Sequence, residues 1–349
     1  MLCKTINGVH IQAISSALPE HLLDLQFFAQ HYGEKQAARV ARGTGITSIR
    51  VAEDLTTEDL ITAAAQSLLQ QEQISCEEID ALIVITQTPS QFSPGAAFAV
   101  HAKLGLSQDC YVSSVNDGCA GYGNGLLQAS ALVSSGAFKR VLLCTGDVNT
   151  RVVNDDEYQV RMLFGDAASA TLLTKGEDSL SFVTGVDGSG IDMLGVSIDY
   201  DKSLSFEQKA IAAIKPIKMD GAAVMSFALK RVPEAINALL ASKEIDKDDI
   251  DLFALHQPNE FMLNYLRNVL DIDKQYLPSD VEGIGNTNST SIPLLLSRRA
   301  QDPSHSTVTD QTESLRNVVL CGFGVGLAWN AVHLDLSRTH LIKPTIVSN

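Results

Sequence analysis

Two stretches of the chain repeat each other at nearly one offset, and this repeat limits the architecture more than any other feature. ISCEEIDALIVITQTP (Ile74 to Pro89) is echoed by IDKDDIDLFALHQP (Ile245 to Pro258): an acidic turn, an Ile-Asp pair, an apolar strand-like run, then polar residues and a proline. KRVLLCTGD (Lys139 to Asp147) is echoed by RNVVLCGFG (Arg316 to Gly324), a buried-strand pattern ending in small residues. Ile79 and Ile250 lie 171 residues apart, and Leu143 and Leu320 lie 177 apart, each close to half of the 349-residue chain. Two echoes at nearly one offset predict two similarly folded halves packed face to face, residues 1–175 and 176–349.

Within each half the pattern is mixed α/β. Apolar runs at ALIVIT (81–86), RVLLCT (140–145), ASATLL (168–173) and NVVLCG (317–322) read as strands. Leu60 to Gln70, Gly123 to Ser134 and Ala222 to Leu240 read as helices. Short apolar strands alternating with helices imply sheets covered on both faces. Gln301 to Ser314 is polar and reads as a surface connection.

Composition removes several function classes. A net charge of −15 with no basic block argues against nucleic-acid binding. No run of 18 apolar residues occurs, which predicts no membrane span. Six cysteines are scattered without a C-x-x-C pair or zinc-ligand spacing, and the opening residues have no apolar signal region. The expectation is a cytoplasmic protein with free thiols and no metal. There is no P-loop, and CGFGVGLAW (Cys321 to Trp329) is neither a G-x-G-x-x-G nor placed to open a dinucleotide-binding unit.

Against that background SSVNDGCAGYGNGL (Ser113 to Leu126) stands out. Gly118, Gly121, Gly123 and Gly125 strip bulk from around Cys119, so other groups can approach the sulfur. A tight turn that happens to carry a cysteine is one reading; a nucleophile at a strand-to-helix turn is the other. A thiolate beside a helix N-terminus gains from the dipole and free N–H groups, which lowers its pKa. Asp117 would oppose this if its carboxylate faces the sulfur.

A thiol nucleophile needs a base or donor nearby and N–H groups for the developing oxyanion. His101 reads as a partner-facing or surface residue, and His305 and His340 lie in polar or terminal segments. His256 ends the strand-like DLFALH, where sites gather in α/β folds. In GIGNTNSTSIP (Gly283 to Pro293), Asn286 either caps a helix start or presents its amide to a site; both remain open. Asn288-Ser-Thr matches a glycosylation acceptor, which a cytoplasmic protein would not use. The glycine bend after Cys321 can supply a backbone N–H to an oxyanion hole. The order Cys, His, Asn also suits a papain-like protease, but C-G-[SA]-C-[WY] is absent and such enzymes are not built from matching halves.

With these residues assembled, the chain resembles the β-ketoacyl-acyl carrier protein synthase III family of thiolase-like condensing enzymes, nearly end to end. INGVHIQAISSALPE and GTGITSIR resemble its opening segments, and CAGY carries the nucleophile. LFGDAASATLL resembles its F-G-D-G-A-x-A-x-x-L strand, while HQPN, GNTNSTSIP and GFGVGLAW complete the pattern. The resemblance implies a five-layered αβαβα fold of two similar halves, and a homodimer. It implies that Cys119 takes an acyl group from acyl-CoA or an acyl carrier protein. His256 and Asn286 then support decarboxylation of a malonyl thioester. Backbone N–H groups of Cys119 and Val325 would form the oxyanion hole, Phe323, Asn259 and Phe92 would contact substrate, and no cofactor is called for.

The chain also departs from that pattern. Where CoA-using members carry an arginine before T-G-I, a tryptophan four residues earlier, and a second arginine before F-G-D, this chain has Gly43, Arg39 and Tyr158. Arg39, Arg42 or Arg161 are the substitutes at hand. The carrier-docking arginine after the histidine motif corresponds to Phe261, leaving Lys230, Arg231 and Arg267 for a docking patch. These departures favour a condensing enzyme of a specialised pathway over a housekeeping starter enzyme. An acyltransferase of the same fold, moving the acyl group to an oxygen or nitrogen acceptor, is the first alternative. A catalytically silent subunit of a heteromer is the second.

Overall fold

The echoed segments fold as matching pairs of parallel strands. The computed structural model describes residues 1–199, 213–300 and 315–348. In it, strand β2 (Ala81–Ile85) pairs with β4 (Arg140–Asp147), Ala81 opposite Val141. In the other half β6 (Leu252–Leu255) pairs with β7 (Val318–Gly324), Leu252 opposite Val318. Ala81 to Leu252 is 252 − 81 = 171 residues and Val141 to Val318 is 318 − 141 = 177, the offsets that relate the sequence echoes. The repeat is therefore kept residue for residue in the pairing register.

Alternation along these strands builds the layers. In β2 and β4, Leu82, Val84, Leu142 and Cys144 face one core. There they meet α1 (Thr57–Glu72) and α2 (Ala96–Leu104). Their neighbours Ile83, Ile85, Val141 and Leu143 face the opposite way, into a central core. That core is filled by α3 (Gly121–Ser134) and α6 (Ser291–Arg299). From the far side, Leu252, Ala254, Val318 and Leu320 enter the same central core. Phe253, Leu255, Val319 and Cys321 point outward to α4 (Gly221–Lys243) and α5 (Glu260–Leu270). The result is the αβαβα thiolase-like arrangement, helix layers alternating with sheet layers.

Two long strands tie the halves together. β1 (Cys3–Pro19) runs antiparallel to β5 (Ala167–Val186) for most of their length. Residues 167–174 of β5 pair with β4, while 181–186 pair with β8 (Ala328–Leu334), which in turn pairs with β7. The boundary between residues 175 and 176 falls inside β5, at this change of partner. The edge of the first half is β3 (Tyr111–Val115), parallel to β2.

Helix ends explain why the observed helices exceed the apolar runs. Thr56 and Asp59 form a reciprocal capping box that starts α1 three residues before Leu60. The carboxylate of Asp220 accepts from Ala223 N and starts α4 at Gly221. All six cysteines are unpaired. Among the described residues no helix is long and apolar enough to cross a membrane, and no group of His, Cys, Asp and Glu side chains could hold a metal ion. The polar segment Gln301 to Ser314, with His305, lies outside the described residues, as does part of the stretch after Ile191.

Candidate active site

Strand β3 ends at Val115, and α3 begins six residues later; Cys119 sits in the turn between them, 4 % exposed. The glycines around it divide into two groups. A Cβ on Gly118 would lie 2.8 Å from Gln87 Oε1 and 3.1 Å from Val325 Cβ, and one on Gly324 would lie 3.0 Å from Cys119 Sγ. Gly324 leaves room at the sulfur itself, and Gly118 lets Gln87 and Val325 close on the turn. Gly121, Gly123 and Gly125 instead make room for Ile85, Asn330 and Leu143, so that α3 can seat deeply between the sheets. Asn330, fully buried, fixes the turn: its Nδ2 donates to Ala120 O (2.7 Å) and to Asn124 Oδ1 (3.0 Å), and its Oδ1 accepts from Gly322 N.

The expected lowering of the thiol pKa is overturned. Burial pushes the Cys119 thiol up to about 12, with further upward pressure from the carboxylates of Asp147 and Asp117. The backbone N–H groups of Val325 and Cys119 lie against the sulfur and pull the other way, but they do not offset desolvation. Asp117 accepts from Gly118 N (2.8 Å) and Asn124 Nδ2 (2.7 Å), which holds its carboxylate in the turn. Asp147, at the end of β4 and fully buried, has its own pKa raised to about 7 by burial despite bonds from Gln87 N, Thr86 and Thr88. Cys119 therefore rests as a thiol at neutral pH.

His256 follows directly on β6, as expected, with its backbone N–H donating to Cys321 O of β7 (2.8 Å). Its ring is 2 % exposed and stands edge-on to Phe323, with centroids 5.3 Å apart at 79°. Burial lowers its pKa to about 3, so the ring is neutral. Nδ1 lies 2.7 Å from Ser291 Oγ, and the Ser291 hydroxyl donates to Asn288 O (2.9 Å). The single imidazole proton sits on Nδ1 when Ser291 accepts from the ring and on Nε2 when Ser291 donates to it.

Asn286 is held by the F-G-D segment. Its backbone N–H donates to Leu163 O (2.8 Å), and its carbonyl accepts from Gly165 N (3.1 Å). A Cβ on Gly165 would stand 1.8 Å from Ile284 O, so only glycine lets the two segments meet. Asp166 anchors the segment through Ala52 N and Thr150. The side chain of Asn286 makes a local turn and caps neither helix start that follows, at Thr287 or Thr290. Its Oδ1 accepts from Asn288 N (3.0 Å), which leaves its NH2 as the free end.

Cys119, His256 and Asn286 line one cavity of about 160 Å³, together with Asn288. Much of the remaining wall is apolar, including Ile217, Met219, Met225, Met262 and Phe323. Val325 also lines it. Asn259 reaches the cavity while its Oδ1 accepts from Met262 N and caps α5. Phe92 does not join them: it is 78 % exposed and outside the cavity wall of its own chain. Arg267 is a second correction. It is 6 % exposed, donates through Nε to Leu277 O and pairs with Glu260, so it cannot form a docking patch. Lys230 is exposed, and Arg231 pairs with Glu234 over the ring of Trp329. Arg39 and Arg42 are exposed, Tyr158 packs against Tyr32, and Arg161 is paired with Asp155; none reaches the cavity wall.

Sequence reasoning missed Ser291 and Asn288. Ser291 touches a residue 35 positions away, so only the helix start it occupies hinted at it. Asn288 was read solely as part of a glycosylation pattern. Its Oδ1 lies 3.5 Å from Cys119 Sγ, and its Nδ2 donates to Asn149 Oδ1 (2.6 Å).

Comparison with known proteins shows the family. Family models for 3-oxoacyl-[acyl-carrier-protein] synthase III match residues 114–188 and, for its C-terminal part, 240–336. The β-ketoacyl-[acyl-carrier-protein] synthase III of Trichodesmium erythraeum is 31 % identical over 332 residues, covering 93 % of this chain and 97 % of that protein. The chain belongs to the 3-oxoacyl-[acyl-carrier-protein] synthase III family. The synthase III of Streptococcus agalactiae (serotype III, strain NEM316) is 30 % identical over 84 % of this chain and 88 % of its own length. The crystal structure of a 3-oxoacyl-(acyl-carrier protein) synthase from Burkholderia xenovorans LB400 superposes with a TM-score of 0.88 at 28 % identity, over 99 % of both chains.

Proposed function

We propose that this synthase III family member is an acyl-thioester condensing enzyme in which Cys119 carries the acyl group and His256 and Asn286 serve the condensation. The observation that carries the reading is the convergence of these three side chains, from both halves of the molecule, on one buried cavity. In the first half-reaction Cys119 sulfur bonds to the acyl carbon, the donor's C–S bond breaks, and the thiol proton ends on the departing sulfur. The N–H groups of Cys119 and Val325, which lie against the sulfur, bind the oxyanion in this scheme.

In the second half-reaction a malonyl thioester loses carbon dioxide, and the electrons of that bond become an enolate. The enolate carbon bonds to the acyl carbon, the C–S bond to Cys119 breaks, and the thiolate released takes up a proton from solvent to restore the thiol. Neutral donors suit the enolate oxygen, since it is an anion only in passing. Asn286 offers its NH2, and His256 offers Nε2–H once the Ser291 hydroxyl turns from Asn288 O to donate to Nδ1. No metal or organic cofactor enters this scheme, because the thioesters and decarboxylation drive it.

Acyl-CoA or an acyl carrier protein supplies the acyl group. The residues at the CoA-clamp and docking positions favour a specialised cytoplasmic pathway. A homodimer formed along the free edge of β3 would set Phe92 beside the second copy. The test is to supply acyl and malonyl thioesters together and follow carbon dioxide and the 3-oxoacyl product. Stoichiometric release of both supports the reading; acyl transfer to an alcohol or amine without carbon dioxide overturns it.

A further inference from the structure

We infer that Asn288 is a positioning residue for the nucleophile, holding Cys119 as a thiol through its side-chain carbonyl until a thioester arrives. The inference takes Cys119 as the nucleophile of the proposed function, but its test needs no substrate. Asn288 is 4 % exposed, lines the cavity, and its Oδ1 accepts from Cys119 Sγ at 3.5 Å.

The amide cannot turn over. Its Nδ2 donates to Asn149 Oδ1 at 2.6 Å, and Asn149 Nδ2 donates to Gly165 O at 2.8 Å. Asn149 is 2 % exposed, so this chain of amides runs through the interior from the F-G-D segment to the sulfur. The negative end of the Asn288 dipole is thereby fixed toward the sulfur, where it favours S–H over the thiolate. The same residue orients Asn286, whose Oδ1 accepts its backbone N–H. Asn288 stands at φ 50°, a left-handed conformation that asparagine tolerates better than most residues and glycine best.

The other groups facing the sulfur are accounted for. Asp117 lies in the same turn and Asp147 at the end of β4; both disfavour a thiolate. The N–H groups of Val325 and Cys119 favour it, and His256, at the end of β6, is neutral and lines the same cavity. Asp147 Oδ2 has no hydrogen-bond partner, although the Asn288 amide is near enough to lower its pKa in part. The Asn288 carbonyl is the polar side-chain acceptor recorded on the thiol itself.

Burial favours the thiol as well, so the test must separate a dipole from desolvation. It follows the rate and pH profile of Cys119 alkylation by iodoacetamide, read by intact mass, in the full chain. Asn288→Gly keeps the left-handed backbone and its N–H but removes the carbonyl. It should raise the rate at pH 8 by about tenfold, one hydrogen bond's worth, and move the profile down by about one pH unit. Asn149→Ala frees the amide to turn its NH2 to the sulfur and should also raise the rate. Asn288→Asp places a carboxylate there and should lower it. A merely structural role would slow or leave unchanged all three alike. If both Asn288→Gly and Asn149→Ala alkylate at the wild-type rate or below it, the inference is wrong.

Discussion

The two halves of the molecule share a frame and divide the chemistry. Strands β2 and β4 in the first half and β6 and β7 in the second pair in the same register, and each half sends one helix, α3 or α6, into the central layer. They part company at the edge. The first half adds β3 outside β2, and the chain leaving β3 makes the glycine-lined turn of Cys119. On the outer edge of β6 no strand pairs among the described residues; Phe253 N–H is met by Tyr276 O instead. There the site is built from the residues directly after β6 and before α6. In the proposed reaction one half provides the covalent group, whose neighbours include two carboxylates, and the other provides neutral donors. A duplicated scaffold need not duplicate its chemistry, because the loops at strand ends are free to differ while the strands are not.

The sharpest way to break this comparison is to remove the covalent group. Cys119→Ser should lower condensation by at least about 10⁴-fold, since the hydroxyl is a far poorer nucleophile toward thioesters. A product assay with acyl and malonyl thioesters measures it. Removing a neutral donor should cost less: Asn286→Ala should lower carbon dioxide release from the malonyl thioester by about 10²–10³-fold, as for loss of one oxyanion donor.

A pH series sharpens the contrast between a buried thiol and an exposed one. With the thiol pushed up to about 12, the thiolate is the minor form throughout the neutral range. Its fraction rises as protons are lost, so alkylation of Cys119 should accelerate about a hundredfold from pH 7 to pH 9, with no plateau. A plateau below pH 9 would mean that the helix terminus outweighs burial after all. The smallest effect is expected for Ser291→Ala, which removes the partner of His256 Nδ1. Condensation should fall about tenfold while acyl-enzyme formation keeps its wild-type rate, as judged by single-turnover kinetics.

How much of this could be read from the residues follows the same division. The strand pairs were legible because buried strands are short, apolar and bounded by turn residues, so a repeat of the pattern is a repeat of the fold. Cys119 announced itself through its glycines, although Gly324 is the one set against the sulfur; Gly118 makes room for Gln87 and Val325, and Gly121, Gly123 and Gly125 answer to helix packing. His256 was legible from its place after a strand. What sequence could not give is whatever depends on meeting across the interior. The clamp of Leu163 and Gly165 on Asn286, and the contact of Asn288 with Cys119, each join segments more than 120 residues apart. Burial was equally hidden. The direction of the Cys119 pKa and the inward placement of Arg267, which shares the face of α5 with Leu263, Leu266 and Leu270, follow from packing that no local pattern reports. Phe92 fails for the opposite reason, being too exposed to touch its own cavity.

The division of labour is tested most directly by intact-protein mass after mixing acyl thioesters with four proteins: wild type, Cys119→Ser, His256→Ala and Asn286→Ala. The account predicts an acyl adduct on wild type and on both second-half variants, none on Cys119→Ser, and discharge of the adduct by malonyl thioester in wild type alone. If His256→Ala and Asn286→Ala take up no acyl group although they fold, these two side chains serve acylation as well as condensation, and the division of labour fails.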